Sequence, residues 1–435
     1  MLFLLFTLFC STPTLATESK GFVIPVAGSN EMPLALPKPQ LPAGDPDVVA
    51  DIIWGTVFHD LEMTGYFKML DPNLFLEQNK GVEPGTFSFS DWTEKPVQAH
   101  VLAKIRLLPA GHPECDPGGK KMCVDVYSYY AISGQKLAAK RFRAQKEHAR
   151  YMAHEASNSI ITSITGEESI FGMRIAAVGS QGGNKEIFLL DIDGKGVSKV
   201  TRNGSINLSP AWSPDGRQIA WTSYRRGNPD LYVKNLVSGR ARVVSNKLGI
   251  NISAAFSPNG NLALVRSLDG DSDIFIIDPH TGKELKRVTR GGGIDVSPSF
   301  SKDGSKLLYA SERSGGSQIY LYDMETGQNK RITYMGDFNT DPVFSPDGTQ
   351  LAFVGRNRGF NVYVTDLDGG TPIPITGDMG DNEDPSWSPN GKYLLFSSTR
   401  SGRSELWLST IDGNHQVPIT RSGGWTQPTW APVEN

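Results

Sequence analysis

The residues of this chain best suited to chemistry recur at one place in a repeated pattern. Ahead of the aromatic residues Trp212, Phe256, Phe300, Phe344, Trp387 and Trp430, short polar side chains stand at fixed distances. Five residues back are Asn207, Asn251, Asp295, Asn339 and Asn382; three back are Ser209, Ser253, Ser297, Asp341, Asp384 and Gln427. If the carboxyl groups of Asp295, Asp341 and Asp384 converged, their oxygens would suit a divalent cation, and a metal-dependent lyase or lactonase would follow. Otherwise the same residues read as turn caps that bond their own backbone, or as donors and acceptors offered to another protein. The choice depends on the elements that carry them.

Other catalytic sets are thin. His280 and His415 fall in turns of separate repeats, where they cannot meet and read as solvated. His59, His148 and His154 fall on predicted helices, where capping or packing is expected. No Gly-x-Ser-x-Gly elbow occurs. The acidic run from Asp269 to Asp273 lacks the distal glutamate of a calcium loop and reads as a polar hairpin tip. Cys115 and Cys123 flank a Gly-Gly turn. In an oxidising compartment they can bridge, closing a loop of about 9 residues for ~2.5 kcal/mol, or they stay free thiols. With only His112 nearby they lack the ligand set of a zinc site. The expectation is no catalytic residue, no metal and no cofactor.

The aromatic anchors lie 44, 44, 44, 43 and 43 residues apart, a period of propeller-blade length. After the first five comes Ser-Pro-Asp-Gly, Ser-Pro-Asn-Gly or Ser-Lys-Asp-Gly, a turn whose glycine supplies a positive φ. An apolar alternation follows ("RQIAWTS", "QLAFVG"), then a third run such as "DLYVKN", then a short fourth one. Four antiparallel strands per period make one blade. The first period, starting at Arg174, lacks its inner strand, and the last, around Trp425 to Pro432, is nothing but an inner strand. Pairing the two closes six blades into a ring without free sheet edges.

Ahead of the repeat the chain is different. "PDVVADIIWGTVFHDLEMTG" puts Val48, Val49, Ile52, Ile53, Val57 and Leu61 on a helical stripe ending at Gly65. "VQAHVLAKIRLLP" and "MCVDVYSYYAI" read as a strand pair around the cysteine loop, and Glu147 to Thr165 as a second helix stopped by Gly166. The fold class is therefore multidomain: a small N-terminal α+β domain (17–168) followed by an all-β six-bladed propeller (169–435). Residues 1–16 read as a signal peptide cleaved after Ala16, too short to span a bilayer, although no Lys or Arg precedes the apolar run. With 43 Lys and Arg against 46 Asp and Glu and no dense basic block, nucleic acid is a poor partner.

Inner-strand starts border the channel of a propeller, so the five-back and three-back residues are expected to ring one mouth. Arg225, Arg226, Arg313, Arg356, Arg358, Arg400 and Arg403 lie in loops on the same face. A basic rim around a partly acidic mouth suits a protein loop more than a small molecule.

The chain resembles the TolB family of exported propeller proteins. The likeness rests on "FVIPVAGSNEMPLALPKP", "DIIWGTVFHDLEMTGYFKMLD", the junction "RYMAHEASNSIITSITGEESIFGMRIAAVG" and the repeated turns. It implies a monomeric, non-enzymatic periplasmic adaptor that holds the peptidoglycan-associated lipoprotein Pal at the channel mouth. It also implies an N-terminal tail that engages TolA, with a role in outer-membrane integrity and constriction at division. By position, the implied Pal surface includes Ile250, Ser253, Val296 and Ser297. The TolA-type tail would be Glu18, Ser19, Lys20, Gly21, Phe22, Val23 and Ile24, running on to Val26. Ile250 stands where some members carry histidine.

Overall fold

The structure is a computed structural model describing residues 31–42, 48–76, 80–268, 270–291 and 293–432. The expected signal peptide, the tail from Glu18 to Val26 and Asp269 lie outside the described residues.

The N-terminal domain is a five-stranded sheet, β1 (Met32–Ala35), β2 (Phe67–Met69), β3 (Val101–Leu108), β4 (Met122–Tyr130) and β5 (Gln135–Ala144), in the order β2-β1-β3-β4-β5. The strand β1 pairs parallel with both neighbours, and the remainder is antiparallel. Alternation along β3 sorts its side chains. Val101, Ala103, Ile105 and Leu107 face the helices α1 (Val48–Met63) and α3 (Ala149–Thr165), while Leu102 joins a second core with Phe87, Trp92 and Tyr129. The short helix α2 (Ser90–Thr93) supplies Trp92 to that second core.

In α1, Val49, Ile53, Val57 and Leu61 are buried, but Ile52 is 40% exposed. The four buried residues follow one four-residue row, and Ile52 lies about 100° around the helix from Ile53. The helix α3 ends at Gly166 in the left-handed conformation, φ 73°, with its N–H on the Thr162 carbonyl. It starts later than Glu147, because Lys146–His148 forms a tighter turn, and His148 makes no side-chain capping bond. The edge strand β5 was not legible, since its Lys and Arg residues break the apolar alternation.

The propeller has six four-stranded sheets. Blade 1 takes its inner strand from the C-terminal segment, Trp425–Trp430, antiparallel to Arg174–Gln181, with Trp425 opposite Gly179 and Trp430 opposite Ile175. A Cβ at Gly179 would come within 2.7 Å of the Phe188 ring, so this closure leaves room only for glycine. The expected closed ring of six blades is what the structure shows.

Each Ser-Pro-Asp-Gly turn is locked from inside. Ser213 Oγ accepts the Gln218 N–H at 2.8 Å and donates to Asp215, and Gly216 adopts φ 67°. The same pair recurs as Ser301 with Asp303 and Ser345 with Asp347. The bonds that Asp303 receives from Ser301 and the Ser305 N–H hold its carboxyl down to about 2.

The two domains share one apolar core. Side chains of α1, α3 and the sheet pack with Ile175, Phe188, Tyr393, Leu406, Trp425 and Trp430 of the propeller. The N-terminal domain sits on the propeller end that carries the Ser-Pro-Asn-Gly turn of blade 6. Asn390 donates to the Glu168 carbonyl at 2.8 Å, Lys392 pairs with Glu167 at 2.9 Å, and the Tyr393 hydroxyl donates to the Thr64 carbonyl at 3.1 Å. His415, read from the sequence as a solvated turn residue, lies instead under this domain. A Cβ on Gly65 would stand 2.8 Å from its ring.

Candidate functional site

The inner strands Asn207–Trp212, Asn251–Phe256, Asp295–Phe300, Asn339–Phe344, Asn382–Trp387 and Trp425–Trp430 surround the channel. The five-back residues do not face it. Asn207, Asn251, Asp295, Asn339 and Asn382 are fully buried, which corrects the expectation that they ring the mouth. Asn339 donates to the Met335 carbonyl at 2.7 Å and to Gln318 at 3.1 Å. Asn382 donates to Asn361 at 3.2 Å and accepts from Ser398 at 2.7 Å. Asp295 is paired with Arg313 at 3.2 Å. Burial of such groups is tolerated only with partners, so each of these residues ties its approach loop to the neighbouring strands and presents nothing to a ligand.

A repeated hydroxyl, missed in the sequence, completes the tie. Thr333 Oγ1 donates to Gln318 at 2.9 Å and accepts the Ile319 N–H at 2.9 Å; Thr376 does the same with Asn361 at 3.0 Å and the Val362 N–H at 2.9 Å. Thr201, Thr289 and Thr420 bond Glu186, Asp273 and Glu405 in the same way. In blade 2, Ser245 takes the position and donates to Asn251 at 2.6 Å. The signal was present: residues 201, 245, 289, 333 and 376 each stand eleven before an aromatic anchor, and Thr420 stands ten before Trp430.

The three-back residues do reach the channel. Ser209, Ser253, Ser297, Asp341, Asp384 and Gln427 all have positive φ, between 49° and 57°. Each sits at a break in register between inner and second strand, as between Thr340 and Val343. A left-handed non-glycine residue costs ~1–3 kcal/mol and persists where its surroundings over-determine it. Here the bulge turns the side chain inward. Neighbouring blades are then linked around the axis: Gln427 Oε1 accepts the Ser209 N–H at 2.8 Å, Asp384 accepts the Gln427 N–H at 3.1 Å, and Ser297 donates to Asp341 at 2.6 Å. Burial, then the charge of Asp341, pushes Asp384 up to about 7; burial raises Asp341 as well.

From this girdle a cavity of about 810 Å³ runs towards the turn end of the propeller, past Trp212, Phe256, Phe300, Phe344, Trp387 and Trp430 to Pro214, Pro346 and Pro432. The Ser-Pro turns therefore also line the channel.

On the other end, around the inner-strand starts, apolar side chains stand in solvent. Leu248 is 95% exposed, Tyr334 70% and Met379 66%, with Ile206 and Ile294 nearly half exposed. All lie in loops leading into inner strands. Ile250 and Val296 are partly buried against the core of blades 3 and 4. Of the arginines, Arg225, Arg226, Arg356, Arg358 and Arg403 are exposed. Arg313 and Arg400 are drawn into the blades, Arg400 bonding Asn382 at 2.8 Å and lying over Trp407 at 4.5 Å.

As chemistry, the carboxylates disperse. Asp295 is buried behind its strand with Arg313, while Asp341 and Asp384 point into the channel, so the three do not form one ligand set. Cys115 and Cys123 are joined as a disulfide with Cα atoms 5.7 Å apart.

Fold and site together define a class of protein: a small α+β domain docked on one end of a six-bladed propeller that its own C-terminal strand closes, with the opposite mouth free among the described residues. Residues 161–434 match the TolB beta propeller domain family and residues 23–113 the TolB amino-terminal domain family. The chain belongs to the TolB family. A Tol-Pal system protein TolB of Geobacter sulfurreducens is 34% identical over 197 residues, covering 45% of this chain and 43% of the relative. One from Geobacter metallireducens is 34% identical over 222 residues, covering 50% and 49%. The chain thus aligns with about half the length of these curated relatives. The crystal structure of TolB from Acinetobacter baumannii superposes with a TM-score of 0.80 at 25% identity, covering 93% of this chain and 97% of that one.

Proposed function

We propose that this chain is a non-enzymatic periplasmic adaptor of the Tol-Pal system, binding Pal at the free channel mouth and TolA through its N-terminal tail. In this role it serves outer-membrane integrity and constriction at cell division. The reading is carried by one observation: Leu248, Tyr334 and Met379 stand exposed around the mouth, an apolar crown flanked by exposed arginines. Such a mixture of apolar anchors and arginine is what protein interfaces concentrate. The four implied contact residues, with the five-back residues beside them, fall into three groups. Ser253 and Ser297 belong to the girdle, Ile250 and Val296 support the crown, and Asn251 and Asp295 act indirectly by holding the loops.

Placing a charge at an interface anchor costs several kcal/mol when the partner desolvates it. Leu248→Glu with Met379→Glu is therefore expected to lower Pal capture from periplasmic extract by at least about tenfold, one decade per 1.4 kcal/mol. Val237→Glu, 83% exposed on a turn at the other end of its blade, should leave capture intact. Equal capture by both proteins would remove the mouth as the Pal site. Deleting residues 17–30 should abolish TolA capture while Pal capture persists.

A further inference from the structure

One buried polar cluster has no part in either partner surface, and it lies where the two domains meet. From α1 comes Asp60; from α3 come Arg150, His154 and Ser157; from the hairpin turn following Asn184–Asp191 of blade 1 comes Asp193. His154 Nδ1 is 2.8 Å from Asp60 Oδ2, which also accepts from the Ser157 hydroxyl at 2.7 Å. Arg150 Nη2 donates to both oxygens of Asp193 at 2.8 and 2.9 Å, approaches Asp191 at 3.4 Å, and lies 3.4 Å from His154 Nε2. Asp60, His154 and Asp193 are all buried, and Asp60 Oδ1 has no hydrogen-bond partner among the described residues. Sequence alone offered His154 as a capping or packing residue; the fold makes it the centre of an interdomain charge cluster.

The electrostatics depend on one proton. With His154 neutral, the guanidinium of Arg150 faces two carboxylates, those of Asp191 and Asp193, and the buried Asp60 charge has only the neutral donors His154 and Ser157. With His154 an imidazolium, Asp60 is directly paired and Asp193, on the other domain, faces two cations. Undocking the domains removes Asp193 from this set and opens it to water, where charge pairs weaken by roughly fourfold or more in effective dielectric. The proton on His154 and the docked arrangement therefore favour each other.

We propose that Asp60, His154, Arg150 and Asp193 form a protonation-controlled latch between the two domains, closed with His154 charged and loosened with it neutral. The groups facing the His154 ring are Asp60 from α1, Arg150 from its own helix and Asp193 from the propeller, with Phe171 parallel to it at 6.2 Å. Burial, and the charge of Arg150 after it, work against the imidazolium, but the bond and charge of Asp60 together with the charge of Asp193 outweigh them and raise its pKa above the ordinary 6.5. Of the groups that raise it, Asp193 is the one on the propeller, so docking lifts the His154 pKa above its undocked value; the docking stability this supplies is complete below the undocked value and is lost as pH rises through the higher, docked one.

The test uses the full chain. Hydrogen exchange at peptides covering 149–165 and 184–199, corrected for the intrinsic pH dependence of exchange, is followed from pH 5.5 to 8.5. In parallel, the His154 ring proton is titrated by NMR. Protection at both peptides should fall several-fold with a midpoint matching the His154 titration, above 6.5, and His154→Gln should flatten the dependence. Asp193→Asn should weaken protection at every pH and move the His154 midpoint down. Protection independent of pH in the unaltered protein, or the same dependence in His154→Gln, overturns the latch. Should His154→Gln fail to fold, an unchanged His154 midpoint in Asp193→Asn overturns it equally.

Discussion

Asp384 and Asp341 sit on adjacent inner strands, and the left-handed bulge turns both side chains into the channel. Asp384 is pushed up to about 7, by burial first and by the Asp341 charge second, from an ordinary 3.8. A carboxyl raised by folding costs nothing while protonated in both states; the cost grows above 3.8 and is complete once pH passes the folded value. Asp384→Asn removes the ionisation but keeps an acceptor for the Gln427 N–H. Its thermal midpoint should therefore exceed that of the parent by a margin that widens from pH 4 to pH 8, as calorimetry across that range would show; a constant margin would mean that Asp384 does not titrate as described. At this same scale Asp384 and Asp341 line the channel while Asp295 is buried in its blade, although the two positions differ by only two residues. Two residues along a regular strand keep the same face. Only the bulge between them, invisible in composition, sends one set inward and the other into the blade.

At the scale of elements, the repeated threonines explain how separate sheets become one ring. Each takes a backbone N–H of a third strand and gives its own proton to a polar side chain beside it, and that side chain is often also bonded by the five-back asparagine of the next blade, as Gln318 is by Asn339. Thr333→Val keeps the shape but leaves the Ile319 N–H unpaired in a buried place. The expected loss is about 1–3 kcal/mol of unfolding free energy, measurable by denaturant titration, and a neutral result would show that the bonds are replaced by water. The same spacing that revealed the aromatic anchors carried these hydroxyls in plain view. What hid them is that a lone Thr near a strand end has many ordinary roles, and its partner stands about fifteen residues earlier in the chain.

For the whole molecule, the last strand decides whether the ring exists. Trp425–Trp430 pairs with Arg174–Gln181, and Trp425 and Trp430 also enter the core shared with α1 and α3. Removing 424–435 would expose a sheet edge, open the ring and thin the interdomain core at once. Loss of a single cooperative thermal transition is expected, together with aggregation; a truncated chain that melts like the parent would contradict the closure. Sequence by itself determined the blade length, the number of blades, the borrowed closing strand and the family likeness, because periodicity is a one-dimensional property that repeats in print. It could not determine which polar residues face the channel, which exposed apolar residues crown the mouth, or that His154 lies against Asp60 and Asp193. Those depend on a register break, on loop packing and on the docking of two domains. Each brings together groups far apart in the chain, and the free energy of burying or pairing them is set by neighbours that sequence order does not name.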